Sequence, residues 1–308
     1  MVKLSMSDAK DYIIQCENLI KIYKNKDIEV MALQGLDFNV EKGELMAIIG
    51  NSGSGKTTLL NMIGGFDKAT MGKIFIDGKD LFKMNEYQLM KYKRSTIGIV
   101  WQNNARNLIP YLTALENVEF PMIISGTENR RRQAKQLLEA VGMGKRMNNR
   151  LSQLSGGELQ RVAICIAMAN HPKILMADEP TGSVDSKTTD QIMDVFRDLN
   201  KNMGVTVVIV THDRQVSKKV DRVVAISDGR ISSEFIKKQY VLAEEEDTHN
   251  EFAIIDKSRR LQLPSEFIDK LNVGKQSMVC VGMSEDTIVI SAPKSALDTR
   301  LKAPEVRE

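Results

Sequence analysis

The sequence predicts an α/β fold in which a mainly parallel sheet is flanked by helices. An antiparallel β portion and a helical insertion are attached to it, and a small β-rich unit follows. Three observations carry this. Five short apolar runs, at 44–49, 97–101, 173–177, 205–210 and 222–226, are continuous rather than alternating, which is how strands covered on both faces read. Two Asp-Gly pairs, Asp77-Gly78 after the alternating stretch 73–77 and Asp228-Gly229 before Ile231, mark tight hairpins. Between 237 and 250 the pattern stops at an acidic run, Glu244-Glu245-Glu246-Asp247, as expected of a solvated linker.

The main unit is therefore expected over 11–236. Within it the amphipathic stretch 113–141 reads as mainly helical, with breaks at Pro121 and around Gly126. The second unit covers 251–292, where strand-like runs at 251–255 and 278–290 flank a helical stretch led by Pro264. The charged tail 293–308 is expected to be disordered. A chain of 308 residues suits one large and one small domain.

Composition excludes several classes. With 42% hydrophobic and 27% charged residues the chain reads as globular. A net charge of +3 is too small to argue for nucleic acid or an anionic surface. Charged residues interrupt every run before the roughly 18–20 apolar residues that a bilayer span needs. The opening MVKLSMSDAKDY has no apolar signal core, so work at a membrane is expected to go through a partner. Cys16, Cys165 and Cys280 are odd in number and far apart, as reduced thiols are. His171, His212 and His249 are too scattered for a metal site.

The chemistry starts at Gly50-Asn51-Ser52-Gly53-Ser54-Gly55-Lys56-Thr57, a GxxxxGK[ST] pattern between the strand-like LMAIIG and the helical KTTLLNMI. Glycines let successive amides curl round phosphates, and the following helix adds positive potential. Lys56 is expected to reach the β- and γ-phosphates of ATP and the Thr57 hydroxyl to ligate Mg²⁺. In Ile174-Leu175-Met176-Ala177-Asp178-Glu179, four apolar residues precede two acids. That places Asp178 at a strand's C-terminal end to serve the Mg²⁺ shell, with Glu179 beside it as general base. Leu154-Ser155-Gly156-Gly157-Glu158 opens a helix with Ser155 as N-cap, and the two glycines are expected to leave its end bare for an anion. ATP already has its own phosphate loop, so this second helix end is expected to serve a nucleotide on another molecule.

GNSGSGKTT (through Thr58), LSGGE, ILMADEP and THD together resemble the ABC ATPase family over 11–236, LSGGE being its signature. The resemblance implies a P-loop NTPase core with an antiparallel β subdomain and a helical insertion. It also implies a head-to-tail homodimer, with each ATP held between one copy's phosphate loop and the other's Ser155, Gly156, Gly157 and Glu158. Further roles follow from it: Tyr23 stacks on adenine, Gln102 senses Mg²⁺ and water, Asp185 acts across the dimer, and His212 contacts the γ-phosphate. Val184, Trp101 and Cys165-Ile166-Ala167-Met168 depart from the usual pattern without removing a phosphate, metal or base group. Stretches such as GGFDKATMGKIFIDG and MADEPTGSVDSKTT are similar to the macrolide-exporter, lipoprotein-release and antimicrobial-peptide-resistance branch. That implies a cytoplasmic motor, peripheral on the inner membrane face, driving a permease with an extracytoplasmic domain. The alternative is a soluble ABC ATPase.

The C-terminal FAIIDKSRRLQLPSEFIDKLNVGKQSMVCVGMSEDTIVI resembles the swapped-hairpin domain of AbrB-type regulators. Those domains interleave as dimers and often bind DNA, which leaves an ATP-responsive transcription regulator as a further alternative. Residues 251–292 hold five basic and six acidic side chains, so dimerisation is favoured over a DNA-reading face.

Overall fold

The computed structural model describes residues 11–25, 28–103, 107–182, 184–213, 216, 219–237, 249–255, 261, 263, 265–271, 279–284 and 287–291. The chain divides into two compact units, Met1–Phe252 and Ala253–Glu308.

The larger unit is built on a seven-stranded sheet. Its strands are β3 (Leu45–Ile49), β6 (Ile97–Val100), β7 (Ile174–Asp178), β8 (Thr206–Thr211), β9 (Arg222–Ser227), β10 (Arg230–Lys237) and β11 (His249–Ala253). The order is β11-β10-β9-β3-β8-β7-β6, and β9, β3, β8, β7 and β6 pair parallel throughout. These are the five continuous apolar runs of the sequence. Their alternate side chains enter two separate cores. Leu45, Ala47, Leu175, Ala177, Val207 and Ile209 join one, while Met46, Ile48, Ile174, Met176, Val208 and Val210 join the other.

The first core is closed by α3 (Ala114–Ser125), α4 (Arg130–Ala140), α5 (Gly156–Met168) and α6 (Ser186–Met203). The second is closed by α1 (Lys56–Ile63), by α2 (Glu86–Ser95) and by an antiparallel sheet of order β2-β1-β4-β5. That sheet comprises β1 (Tyr12–Asn25), β2 (Ile28–Glu41), β4 (Met71–Ile76) and β5 (Lys79–Asp80). Both Asp-Gly pairs form the expected hairpins, with left-handed φ at Asp77 (50°) and Gly78 (74°) and at Asp228 (48°) and Gly229 (72°). Two successive positive φ values match the right-handed twist of the flanking strands.

Two expectations need correction. Pro121 does not break its helix, because α3 runs through it to Ser125 and stops at Gly126 (φ 71°). The lost backbone bond is outweighed by the Thr113–Glu116 capping box and by burial of Leu115, Val118 and Met122. The strand placed at 251–255 instead starts at His249 and forms the edge of the seven-stranded sheet. The acidic run of the expected linker and the tail 293–308 lie outside the described residues.

In the smaller unit a short helix, α7 (Ser265–Lys270), precedes a hairpin of β12 (Cys280–Ser284) and β13 (Thr287–Ser291). Ile255 bridges Leu261 across the basic stretch. Val281, Met283, Ile288 and Val289 of the hairpin are all exposed. No helix among the described residues is long and apolar enough to cross a membrane.

Candidate functional site

Four neighbouring parallel strands end at one edge of the sheet, and each delivers part of the expected site there. Ile49 of β3 pairs with Thr211 of β8, Asp178 of β7 with Val210, and Val100 of β6 with Ala177. The residues that follow are the phosphate-loop pattern from Gly50, His212, Glu179, and Trp101-Gln102. Carboxyl ends of parallel strands are where open α/β sheets bind ligands.

The loop's shape requires its glycines. A Cβ on Gly50 (φ 155°) would stand 2.2 Å from Ile226 O, and one on Gly55 (φ 104°) 2.5 Å from Ala32 O. Asn51, Ser52 and Gly53 are exposed, while Ser54 is buried with its Oγ lacking any hydrogen-bond partner. No side chain caps the N-terminus of α1 at Gly55, so the amides of Lys56, Thr57 and Thr58 face outward without intrahelical partners. An orphaned hydroxyl and uncapped amides at one helix end fit a polyphosphate. Lys56 is 7% exposed, and its Nζ donates to Gly50 O (2.7 Å) and Asn51 O (2.8 Å). Burial lowers its pKa, against the pull of the Glu179 and Asp178 carboxylates.

Glu179 is held at several points. Its backbone takes a left-handed φ of 48°, its N–H donates to Val210 O at 2.8 Å, and its side chain is largely buried. Oε1 lies 2.9 Å from His212 Nδ1, and Oε2 accepts the Thr211 hydroxyl at 3.1 Å. Thr211 Oγ1 also accepts the Asp213 N–H at 3.0 Å, which ties the carboxylate to the loop carrying His212. Thr211 escaped sequence reading, although a threonine closing an apolar strand just before His212 was the available signal. Asp178 is 7% exposed at the end of β7, and Thr57 is exposed in the first turn of α1. A hydroxyl with one carboxylate is a hard-oxygen donor set that suits Mg²⁺ shared with phosphates and water. Among the described residues no group of three or more His, Cys, Asp or Glu could hold a metal alone.

The remaining residues approach the site from other elements. Gln102 is exposed after β6, where Asn107 holds both the N–H (3.1 Å) and the C=O (2.9 Å) of Trp101. Tyr23 is 41% exposed on β1, and its hydroxyl donates to Asp67 Oδ2 at 2.8 Å.

At the signature end of α5 Ser155 is the N-cap, as expected, and Glu158 adds a second bond to the cap. Ser155 and Glu158 form a reciprocal capping box, with Glu158 N–H to Ser155 Oγ at 3.3 Å and Ser155 N–H to Glu158 Oε2 at 2.8 Å. The Gly156 and Gly157 amides remain without intrahelical partners. Hydrogen bonding from the Ser155 N–H holds Glu158 below the usual carboxylate range. Asp185 is the N-cap of α6. It accepts the Thr188 N–H (2.9 Å) and hydroxyl (2.7 Å), and the backbone bond leads in lowering its pKa. A Cβ on Gly157 would stand 2.4 Å from Thr188 Cγ2, so the two helix ends are packed against each other.

Comparison with known proteins gives the family. A family model described as ABC transporter matches residues 33–182. The chain is 46% identical over 221 residues to an uncharacterized ABC transporter ATP-binding protein of Thermotoga maritima, covering 71% of this chain and 93% of that one. It is 43% identical over 226 residues to the macrolide export ATP-binding/permease protein MacB of Rhodopirellula baltica, covering 72% of this chain and 33% of that one. The match thus spans about a third of that relative. The dimeric structure of MJ0796, a bacterial ABC transporter cassette, is similar at 41% identity and a TM-score of 0.67, covering 74% of this chain and 100% of that one. A post-hydrolysis MJ0796 dimer bound to ADP and Pi gives 40% identity and a TM-score of 0.66, with the same coverage. With that identity over nearly the whole length of a relative, the chain belongs to the ABC transporter family as one of its ATP-hydrolysing subunits.

Proposed function

We propose that two copies of this chain close head to tail on two molecules of MgATP and that hydrolysis reopens them, moving a membrane permease. The carrying observation is the Glu179 carboxylate, fixed by His212 and Thr211 at the same sheet edge as Lys56 and the phosphate loop. The loop amides and Lys56 bind the β- and γ-phosphates, and Tyr23 stacks on adenine. Thr57 and Asp178 hold Mg²⁺, with Gln102 reaching the same shell; when bound, the ion offsets charge on the β- and γ-phosphates. Glu179 orients a water and takes its proton as the water oxygen bonds to the γ-phosphorus and the bond to the β–γ bridging oxygen breaks. His212 steadies the γ-phosphate. Ser155, Gly156 and Gly157 of the second copy, with Glu158 fixing the cap and Asp185 beside it, complete each site.

The permease carries an extracytoplasmic domain, as in the macrolide-exporter and lipoprotein-release branch, and the chain sits peripherally on the inner membrane face. The C-terminal unit acts as an AbrB-like dimerisation hairpin. The exposed apolar residues Val281, Met283, Ile288 and Val289 support this reading, since an isolated two-stranded hairpin is marginal by itself.

Mixing tests the shared site. A Ser155→Arg protomer with a Lys56→Ala protomer leaves one composite site free of both lesions, so heterodimers regain hydrolysis that neither mutant shows alone. Heterodimers that form and still stay inactive count against sharing. Co-purification of the chain with a membrane permease supports the transport reading, whereas salt-sensitive retention on DNA favours the regulator.

A further inference from the structure

Loop 67–70, which follows α1, is fastened to β1. Thr70 N–H donates to Ile20 O (2.8 Å), and Ile22 N–H donates to Thr70 Oγ1 (3.0 Å). Lys21 Nζ donates to Lys68 O (2.8 Å) and to Asp67 Oδ1 (2.6 Å). The second carboxylate oxygen, Asp67 Oδ2, takes the Tyr23 hydroxyl at 2.8 Å. The Lys21 ammonium also lies over the Tyr23 ring, 4.8 Å from its centroid. Thr58, in the first turn of α1, faces the same phenol oxygen. Burial pushes Asp67 up, but hydrogen bonds from Lys21, Tyr23 and the Lys68 N–H outweigh it and hold the carboxyl below its ordinary range. The acceptor is therefore charged at neutral pH.

A tyrosine this exposed would ordinarily be free to swing about its Cα–Cβ bond. Here the ring is held at its hydroxyl and covered on one face. We propose that Asp67 and Lys21 are positioning residues that lock Tyr23 as a one-sided stacking platform, with the nucleobase admitted only on the face away from the Lys21 ammonium. This rests on Tyr23 as the base-stacking residue. A cation sits favourably on an aromatic face, and the face it covers is closed to a base. Fixing the ring before a base arrives removes an ordering cost from binding. Because Asp67 follows α1 and Thr58 lies within it, the same contacts register the platform against the phosphate loop.

Equilibrium affinity of the full chain for MgATP and for magnesium tripolyphosphate, which has phosphates and no base, separates the possibilities. Tyr23→Ala weakens MgATP by about tenfold or more, the scale of one lost base–aromatic stack, and leaves tripolyphosphate unchanged. Asp67→Ala and Tyr23→Phe each weaken MgATP by about three- to tenfold, the scale of one hydrogen bond, again sparing tripolyphosphate. The double variant is no weaker than the worse single one, because both changes remove the same bond. If Tyr23→Ala leaves MgATP binding intact, the stacking reading of Tyr23 itself falls. If Tyr23→Ala weakens MgATP and Asp67→Ala does not, the platform stands and the lock is refuted. Equal loss of MgATP and tripolyphosphate in Asp67→Ala also refutes the lock, since Asp67 then acts on the fold rather than on the base.

Discussion

Replacing Glu179 with glutamine separates binding from chemistry. The carboxylate has two neighbours, His212 Nδ1 at 2.9 Å and Thr211 Oγ1 at 3.1 Å. An amide of the same shape keeps its oxygen toward Thr211 and turns its NH₂ toward His212, whose Nδ1 accepts once the ring carries its proton on Nε2. The local bonds survive, and the fold loses at most about 1 kcal/mol. The chemistry does not survive, because an amide cannot take the water proton. Loss of a positioned general base lowers the rate by about 10²–10⁴, or about 3–5 kcal/mol in the barrier at about 1.4 kcal/mol per decade. Single-turnover hydrolysis measures this, alongside equilibrium titration of ATP and sedimentation with and without ATP. Glu179→Gln binds ATP about as the wild type does and accumulates a closed dimer. Lys56→Ala differs in kind, since the γ-phosphate loses its charged partner and binding itself weakens. Near wild-type hydrolysis by Glu179→Gln places the base elsewhere. Failure to bind or dimerise makes Glu179 a structural residue and refutes the assignment.

Other outcomes follow from packing and charge. Gly98→Ala puts a Cβ 2.1 Å from Ala167 O, a backbone collision between β6 and α5 that costs about 1–3 kcal/mol and lowers Tm by several degrees; an unchanged melting curve contradicts the contact. Deletion after Ala253, which keeps β11 in its sheet, weakens nucleotide-free dimerisation, because paired hairpins raise the effective concentration of two ATPase cores. Identical sedimentation of truncated and full-length chains without ATP excludes that role. Asp67 has its carboxyl pKa lowered below the ordinary 3.8, so its ion pair with Lys21 stabilises fully above about pH 4 and fades as pH falls through the folded value. Thermal melts should show Asp67→Asn less stable than wild type at pH 7, by at most about 1 kcal/mol after solvent screening. The gap closes in acid, and a gap that persists at pH 2 argues against the ion pair as its source.

The parallel strands were legible because a strand covered on both faces must be apolar along its length, as 174–177 and 207–210 are. The phosphate loop was legible because its glycines answer a steric demand that no other residue meets. Pro121 misled because local propensity speaks for its own turn, whereas Leu115, Val118 and Met122 pull the whole helix into the core. The N-cap of α5 was legible as Ser155, and the glutamate three residues on completes a capping box with it. The pairing of Glu179 with His212 is not a local property. Thirty-three residues separate them, and only the adjacency of β7 and β8 brings them together. Asp67 was invisible for the same reason, since its partners Lys21 and Tyr23 lie on another element.

The tight packing of Gly157 on Thr188 bears on how the chain could sense a neighbour. Thr188 has both its amide and its hydroxyl held by Asp185, and its methyl stands where a side chain on Gly157 would have to go. The start of α5 and the start of α6 are therefore in direct contact, Gly157 against Thr188. A movement of Ser155 toward α6 presses the start of α5 on Thr188, whose amide and hydroxyl are bound to the Asp185 carboxylate. The signature end and the aspartate are thus joined through one side chain, and trimming Thr188 to alanine would remove that contact while leaving every phosphate-contacting residue in place.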